Sequence, residues 1–197
     1  MTEEIKITAE PKDNNTCRFL VDRPLYPDGS AFFGNKERAE GSGLAEKLFA
    51  IEGVTSVLIQ DNLLTVTAST GGNWMPVAKQ VGATIRSVLT SGEKPVSDAV
   101  LSSIPDAEAI KQRVQSILDQ EINPAVAAHG GWVELIDVKR NEVFIRMGGG
   151  CVGCGIADVT LKQGVEKSIR QAIPEVGAIM DTTDHASGRN PYYSPAK

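Results

Sequence analysis

The first half of the chain is dominated by short runs in which apolar and polar residues alternate. IKITAE, TCRFLVD and the shorter GSAFF alternate as expected for half-buried strands. The run VTSVLIQDNLLTVTAS predicts two more strands, joined by a turn around Asp61-Asn62. These runs together predict a small sheet in the first half of the protein.

Helical spacing appears twice in the same half. Residues 43–51, GLAEKLFAI, form one predicted helix with Ser42 as its cap and with apolar positions at Leu44, Leu48 and Ile51. A second predicted helix begins after Asn73, a candidate cap, and runs to about Ser91, where Gly92 stops it. Its apolar stripe consists of Val77, Val81, Ile85, Val88 and Leu89.

The second half begins and ends with helical patterns. A first helix is expected from Ala107 to about Ala128, kinked or shortened by Pro124. GWVELIDV and NEVFIRM then predict a hairpin around Lys139-Arg140-Asn141. The last helix is expected from about Ile156 to Ala172, and its predicted buried face is Leu161, Val165, Ile169 and Ile173.

These elements predict an α+β protein of two small domains, each a small sheet covered by helices. The predicted N-terminal domain spans residues 1–92, and the Pro- and Ser-containing residues 93–105 read as a linker with room for one helical turn. The predicted C-terminal domain spans residues 106–180, in the order helix, strand, strand, cysteine loop, helix, and residues 181–197 form a turn-rich tail.

Composition narrows the range of functions. The formal net charge of −5 and interspersed charges argue against a nucleic-acid-binding surface. No apolar run approaches the roughly 18–20 residues that would cross a bilayer, so no membrane partner is expected. The acidic, alternating start MTEEIKITAE does not resemble a signal or transit peptide, and a cytoplasmic location is expected.

The candidate chemistry lies in residues 147–155, MGGGCVGCG, which hold Cys151 and Cys154 in a CxxC spacing. The pair is expected where a strand ends and a helix begins. A helix N-terminus lowers the pKa of a nearby thiol, and the thiolate is the form that binds metal. The surrounding glycines leave backbone amides uncovered, and these can donate hydrogen bonds to thiolate or inorganic sulfide. Cys151 and Cys154 are therefore the predicted metal and cofactor ligands.

Three interpretations of this pair remain open on the residues alone. A mononuclear zinc site normally takes four ligands from one chain, but Cys17 and the two histidines do not have ligand spacing to the pair. A thiol–disulfide oxidoreductase would use the same two cysteines, although the late position after a hairpin differs from the thioredoxin pattern. An iron–sulfur cluster usually takes four cysteines, which two copies of the chain would supply.

The other chemistry-bearing residues have structural explanations. Cys17 lies in a predicted strand, where small buried cysteines are common. His129 is expected to cap a helix or face solvent, and His185 to be exposed in the tail. A solvated helix face is predicted for Asp158, Glu166 and Glu175. No nucleophile elbow, Walker loop or dinucleotide fingerprint is present, and the chain is not expected to be an enzyme.

Longer motifs carry a family resemblance. INPAVAAHGGWVEL followed by GGGCVGCGIADVTLKQGVE resembles the NifU-like (Nfu) cluster-binding domain. SGLAEKLFAIEGVTSVLIQDNLLTVTAS, followed by Trp74 and an amphipathic helix, resembles the Nfu N-terminal domain. The chain departs from the usual pattern at His129, where Asp is frequent, and at Gly155 and Ala157, where Pro or Ser is frequent.

The resemblance implies an iron–sulfur scaffold or carrier. It would bind a 4Fe-4S cluster, or alternatively a 2Fe-2S cluster, between two copies of the chain, with Cys151 and Cys154 as ligands. Its implied partners are a second copy of itself, apo iron–sulfur client proteins and the cluster assembly machinery. The N-terminal domain, which has no evident ligand set, is assigned by hypothesis to recognising client or donor proteins.

Overall fold

The computed structural model of the protein describes residues 4–149 and 156–183, without the side chains of residue 28 and residues 156–161. The chain divides into two compact units between Ile104 and Pro105. Each unit combines helices with a small sheet, which confirms the predicted α+β class. None of the helices in the described ranges is both long and apolar enough to cross a membrane.

The first unit contains an antiparallel sheet whose strands follow the alternating runs of the sequence. The sheet order is β1-β2-β5-β4-β3. The strands are β1 Ile7–Pro11, β2 Thr16–Val21, β3 Tyr26–Phe33, β4 Val54–Asp61 and β5 Leu63–Ala68. In β2, Cys17, Phe19 and Val21 point into the core, as the period of two requires. β3 starts at Tyr26, earlier than the GSAFF run suggests, and the β4–β5 turn lies at Asp61-Asn62 as predicted.

Two helices, α1 Gly43–Phe49 and α2 Trp74–Ser91, supply buried side chains to the core of the first unit. Ser42 caps α1 by accepting a hydrogen bond from the Ala45 amide at 3.2 Å. Asn73 takes the N-cap position of α2, yet within the described residues its side chain makes no capping hydrogen bond. Gly92 ends α2 in the left-handed conformation at φ 75°, as predicted.

Residues 93–104, within the stretch predicted as a linker, pack on the first unit. Val96 is buried in its core, and the Pro95 carbonyl accepts hydrogen bonds from Ser42 Oγ at 2.6 Å and from the Leu44 amide at 3.3 Å. A short helix, α3 Asp98–Ser102, follows. The division between the two units therefore falls at the end of this stretch.

The second unit opens with a helical run that changes its winding before Pro124. The run consists of α4 Ala107–Ile117, a π-helical turn Leu118–Ile122 and α5 Asn123–Ala127. Pro124 lies in the first turn of α5, where its missing N–H is tolerated. The expected irregularity at Pro124 therefore takes the form of a π turn rather than a simple kink.

The sheet of the second unit has the order β6-β7-β8. The antiparallel hairpin of β6 Gly131–Lys139 and β7 Glu142–Gly149 agrees with prediction, and Arg140 turns it at φ 55°. α6 Ile156–Ala172 then leads to β8 Ile179–Asp181, which pairs with β7 in parallel. Val143, Ile145 and Met147 of β7 pack in the core with Val165, Ile169 and Ile173.

β8 is an element that the sequence did not predict, and it changes one inference. With β8 parallel to β7 and α6 between them, β7, α6 and β8 form a βαβ unit. The cysteine pair therefore lies in a βαβ setting, as in the thioredoxin pattern, although it still follows the β6–β7 hairpin.

Candidate functional site

The predicted ligands Cys151 and Cys154 lie in residues 150–155, outside the described residues. The structure describes both edges of this segment, which we call the cysteine loop: β7 ends at Gly149 and α6 begins at Ile156. The loop therefore joins the end of a central strand to a helix N-terminus, as the sequence predicts. Two residues that the sequence did not identify, Thr183 and Asn123, bind the strands that lead to this loop.

The end of β7 is held at Met147 by a threonine from beyond β8. Thr183 Oγ1 accepts a hydrogen bond from the Met147 amide at 2.7 Å and lies 3.4 Å from the Met147 carbonyl oxygen, to which it donates. Nearer the middle of the strand, the Ile145 carbonyl accepts hydrogen bonds from the Thr182 amide at 2.7 Å and from Thr182 Oγ1 at 3.0 Å. Side-chain hydroxyls therefore extend the ladder between β7 and β8 toward the cysteine loop.

A second side chain holds the neighbouring strand at the same level. Val133 of β6 stands directly opposite Met147. Asn123 Oδ1 accepts a hydrogen bond from the Val133 amide at 2.8 Å, and Asn123 Nδ2 donates to the Val133 carbonyl at 2.9 Å. Asn123 begins α5, so the helical run and the hairpin are joined at the level of the sheet from which the cysteine loop departs.

Close packing favours glycine at the last two residues of β7. A Cβ added to Gly149, whose φ is +63°, would lie 2.1 Å from the Gly130 carbonyl oxygen. A Cβ added to Gly148 would lie 2.1 Å from the Trp132 ring. Trp132 stands opposite Gly148 in the hairpin and keeps 42% of its surface exposed. The backbone leading into the cysteine loop is therefore closely covered on one side by an aromatic ring.

Charged residues flank that ring. The Arg146 guanidinium lies 5.7 Å from the centre of the Trp132 ring, and its Nη2 donates to Glu134 at 2.6 Å. These groups are half exposed, so the ion pair contributes at most about 1 kcal/mol to stability. Arg146 therefore links Trp132 and Glu134 on one face of the hairpin.

Within α6, Glu166 is partly buried, although the sequence predicted that it would face solvent. Burial raises the pKa of Glu166 above its usual range, although the nearby Arg170 and Lys162 lower it and Asp181 raises it further. Burial lowers the pKa of Arg170 to about 10, against the influence of Glu166, and its Nη1 donates to the Val176 carbonyl at 2.9 Å. The prediction of a fully solvated face is therefore wrong at Glu166, because its carboxyl is partly buried near Arg170, which bonds to the Val176 carbonyl. The side chain of Asp158 lies outside the described residues. Glu175 is partly buried and lies beyond the end of α6 at Ala172, so its predicted place on the helix face is wrong.

The structure also describes two of the remaining candidates, Cys17 and His129. Cys17 is fully buried in β2 of the first unit, as predicted, and this burial raises the pKa of its thiol. His129 is exposed, as predicted, while His185 lies outside the described residues. In the described part of the chain, no three His, Cys, Asp or Glu side chains are grouped to hold a metal ion.

Sequence comparison matches each unit to a described family. Residues 5–92 match "Scaffold protein Nfu/NifU N terminal", and residues 114–180 match "NifU-like domain". Cys151 and Cys154 fall inside the second match, so the candidate ligands belong to the NifU-like part of the chain.

Curated relatives carry a consistent name. "Fe/S biogenesis protein NfuA" of Stenotrophomonas maltophilia (strain R551-3) is 44% identical over 120 residues, covering 59% of this chain and 56% of that protein. The protein of the same name from Xanthomonas euvesicatoria pv. vesicatoria (strain 85-10) is 41% identical over 128 residues, covering 64% and 56%. The chain thus spans little more than half the length of these curated relatives.

Among solved structures, a NifU-like protein from Saccharomyces cerevisiae aligns with a TM-score of 0.44 at 24% identity. It covers 49% of this chain and 90% of that one. At that TM-score the likeness supports no argument about function.

Proposed function

Because the chain belongs to the NifU-like (Nfu) family, we propose that it is a scaffold and carrier for iron–sulfur clusters. It binds a 4Fe-4S cluster through Cys151 and Cys154 and passes the cluster to apo-proteins. One observation carries the proposal: the CxxC pair lies within the NifU-like match, in the segment that joins the end of β7 to the N-terminus of α6. The relatives' name, Fe/S biogenesis protein, supports the same role.

The position of the loop favours the form of cysteine that binds iron. α6 is a helix of 17 residues, and the unpaired amides at its N-terminus favour negative charge there. Such a site lowers thiol pKa values and stabilises thiolate. Cys17, by contrast, is buried in the first unit with a raised pKa, which disfavours its thiolate. Cys151 and Cys154 are therefore the ligand pair, and Cys17 has a packing role.

Two thiolates per chain leave the cluster half ligated, because these clusters usually take four cysteines. We assign the other two to Cys151 and Cys154 of a second copy. A cluster shared in this way is held by association as well as by coordination, and separating the two copies exposes it to the thiolates of a client. This arrangement suits transfer better than permanent electron transport, and it calls for no catalytic group.

The first unit is assigned to recognising client or donor proteins. In the described residues it offers no group of metal ligands, and its cysteine is enclosed in the core. Removing residues 1–104, the whole first unit, should leave cluster binding intact and slow transfer to at least some clients. Equal transfer to every tested client by the truncated and full-length proteins would remove this role.

Anaerobic reconstitution of the full-length protein with iron and sulfide tests the central proposal. We expect a brown dimer with about two iron atoms per chain, the share of each copy in one four-iron cluster. Cys151→Ala and Cys154→Ala should abolish the colour, whereas Cys17→Ala, the matched control, should retain it. Iron and sulfide counts, visible absorption and molar mass are the measurements.

Each alternative has its own outcome in the same experiment. About one iron per chain in the dimer would indicate a 2Fe-2S cluster instead. A colourless monomer whose pair cycles between dithiol and disulfide would replace the carrier with a thiol–disulfide oxidoreductase, for which the βαβ setting of the loop is a suitable context. Tightly bound zinc, with unfolding on chelation, would indicate a structural zinc module.

A further inference from the structure

We propose that Thr183 is a positioning residue for the cysteine loop, because its hydroxyl fixes Met147, two residues before the end of the strand from which the loop departs. The proposal rests on the function proposed above. Thr183 is not a ligand; it acts through the backbone of Met147, on the chain segment that leads through Gly148, Gly149 and Gly150 to Cys151.

Backbone hydrogen bonding between β7 and β8 ends at Thr182. Parallel pairing aligns Val143 with Ile179 and Ile145 with Asp181, and the Thr182 amide still donates to the Ile145 carbonyl at 2.7 Å. At Thr183 the backbone leaves the ladder, since its amide donates to Asp181 Oδ1 at 2.8 Å instead. The next link to β7 is therefore made by a side chain.

That link is the Thr183 hydroxyl, placed to serve both polar atoms of Met147. It accepts from the Met147 amide at 2.7 Å, a favourable distance for a hydrogen bond, and makes a longer contact of 3.4 Å to the carbonyl. Because Met147 is buried, an amide left without an acceptor there would be costly. The hydroxyl consequently holds the backbone of Met147, the last residue of β7 with a buried side chain.

The opposite side of the hairpin is held at the same level. Val133, which faces Met147, has both its amide and its carbonyl bonded to the side chain of Asn123. Side chains outside the hairpin therefore bind both strands at the Val133–Met147 pair, just before Gly148: Asn123 binds β6 and Thr183 binds β7. A Cβ on Gly148 or Gly149 would meet the Trp132 ring or the Gly130 carbonyl, so the backbone path from Met147 to the end of β7 is closely confined, and holding Met147 holds the point at which the cysteine loop begins.

The chain offers a matched control one residue away. Thr182 Oγ1 donates to the Ile145 carbonyl at 3.0 Å, but that carbonyl also accepts from the Thr182 amide. Thr182→Val therefore removes a hydroxyl of the same kind from the same segment without leaving Ile145 unpaired. Thr183→Val removes the acceptor of the Met147 amide, and Thr183→Ser restores it with a smaller side chain.

The experiment uses the full-length, cluster-loaded protein and measures the rate at which iron passes to an excess of chelator. Thr183→Val should release iron about fivefold faster than the unmodified protein, the factor that corresponds to one net hydrogen bond. Thr183→Ser and Thr182→Val should release it at nearly the unmodified rate. In the cluster-free protein, amide hydrogen exchange at Met147 should accelerate in Thr183→Val alone.

Two results would overturn the proposal. One is an equal release rate for Thr183→Val and Thr182→Val, and the other is a Met147 amide that exchanges equally slowly in both. If Thr183→Val does not fold, Thr183→Ala and Thr183→Ser give the same comparison, as both lack the methyl group and only serine keeps the hydroxyl. Equal release by those two also overturns it.

The outcome is separable from that of the proposed function. An unmodified protein that takes up no cluster contradicts the carrier function, while the exchange rate of the Met147 amide still reports on Thr183. An unmodified protein that binds its cluster normally, with a Thr183→Val variant equally slow to release it, contradicts only the positioning role.

Discussion

Replacing Gly149 with alanine tests whether the entrance to the cysteine loop is as closely packed as the structure indicates. Gly149 has a φ of +63°, and a Cβ there would lie 2.1 Å from the carbonyl oxygen of Gly130, which belongs to the backbone. Gly130 provides the matched control. It has a similar φ of +68°, but among the described residues no atom lies within 4 Å of a Cβ built on it.

Both substitutions place alanine in left-handed backbone, and only Gly149→Ala also introduces a steric overlap. Alanine in the left-handed region costs about 1–2 kcal/mol at either position. At Gly149 the new methyl group must also push the Gly130 backbone away, and overpacking of this kind typically costs about 1–3 kcal/mol more. We therefore expect Gly130→Ala to lower the free energy of unfolding of the second unit by about 1–2 kcal/mol, and Gly149→Ala to lower it by about 2–5 kcal/mol.

Urea denaturation followed by tryptophan fluorescence measures the difference. Trp74 lies in the first unit and Trp132 in the second, so a Trp74→Phe background leaves Trp132 to report on the second unit alone. This separation matters because two units need not unfold in one step. With a slope of about 1–3 kcal/mol per molar urea, the two midpoints should differ by roughly 1 M. Equal midpoints for Gly149→Ala and Gly130→Ala would refute the close approach at Gly149.

Two further predictions concern the first unit. Ser42→Ala should lower its free energy of unfolding by about 2 kcal/mol, because the helix cap and the hydrogen bond to the Pro95 carbonyl each contribute about 1 kcal/mol. Asp106, an exposed cap in the second unit, is the control. A loss for Ser42→Ala no larger than that for Asp106→Ala would contradict this prediction. Burial raises the pKa of Cys17 above its ordinary value of 9.0, so the folded state keeps its proton longer than the unfolded state, and the stability of the first unit should fall as pH rises through about 9. The difference in unfolding free energy between the unmodified protein and Cys17→Ala should shrink over that interval, and a difference that is constant from about pH 7 to 10 would show that the thiol is not protected.

Much of the fold follows from local patterns in the sequence. In β2 the alternation around Cys17, Phe19 and Val21 is enough to predict both the strand and its buried face. The helix caps and stops at Ser42 and Gly92 are likewise visible, because each acts on neighbouring residues. β8 is not visible: Ile179–Asp181 is too short to show a period, and its parallel pairing with β7 depends on a crossover through α6.

In the candidate site, too, features set by neighbouring residues could be predicted and features set by distant contacts could not. Cys151 and Cys154 stand out because the chemistry belongs to the residue type and to a spacing of three positions. Thr183 does not stand out, since its role depends on a contact with Met147, 36 residues earlier. Glu166 was wrongly predicted to be solvated for a related reason, because the helical pattern of α6 does not reveal its burial or its proximity to Asp181 of β8.

A firmly held strand before a glycine-rich loop suits the task proposed for this protein. On the strand side, Asn123 and Thr183 hold Val133 and Met147 by hydrogen bonds to the backbone. In its later turns, α6 is anchored by the buried side chains of Val165 and Ile169 and by the hydrogen bond from Arg170 to the Val176 carbonyl. These contacts do not involve the cysteines, so the second unit can remain folded whether or not a cluster is bound. A carrier needs that separation: cluster release should then depend on the loop and on contact between the two copies, without requiring the sheet to open.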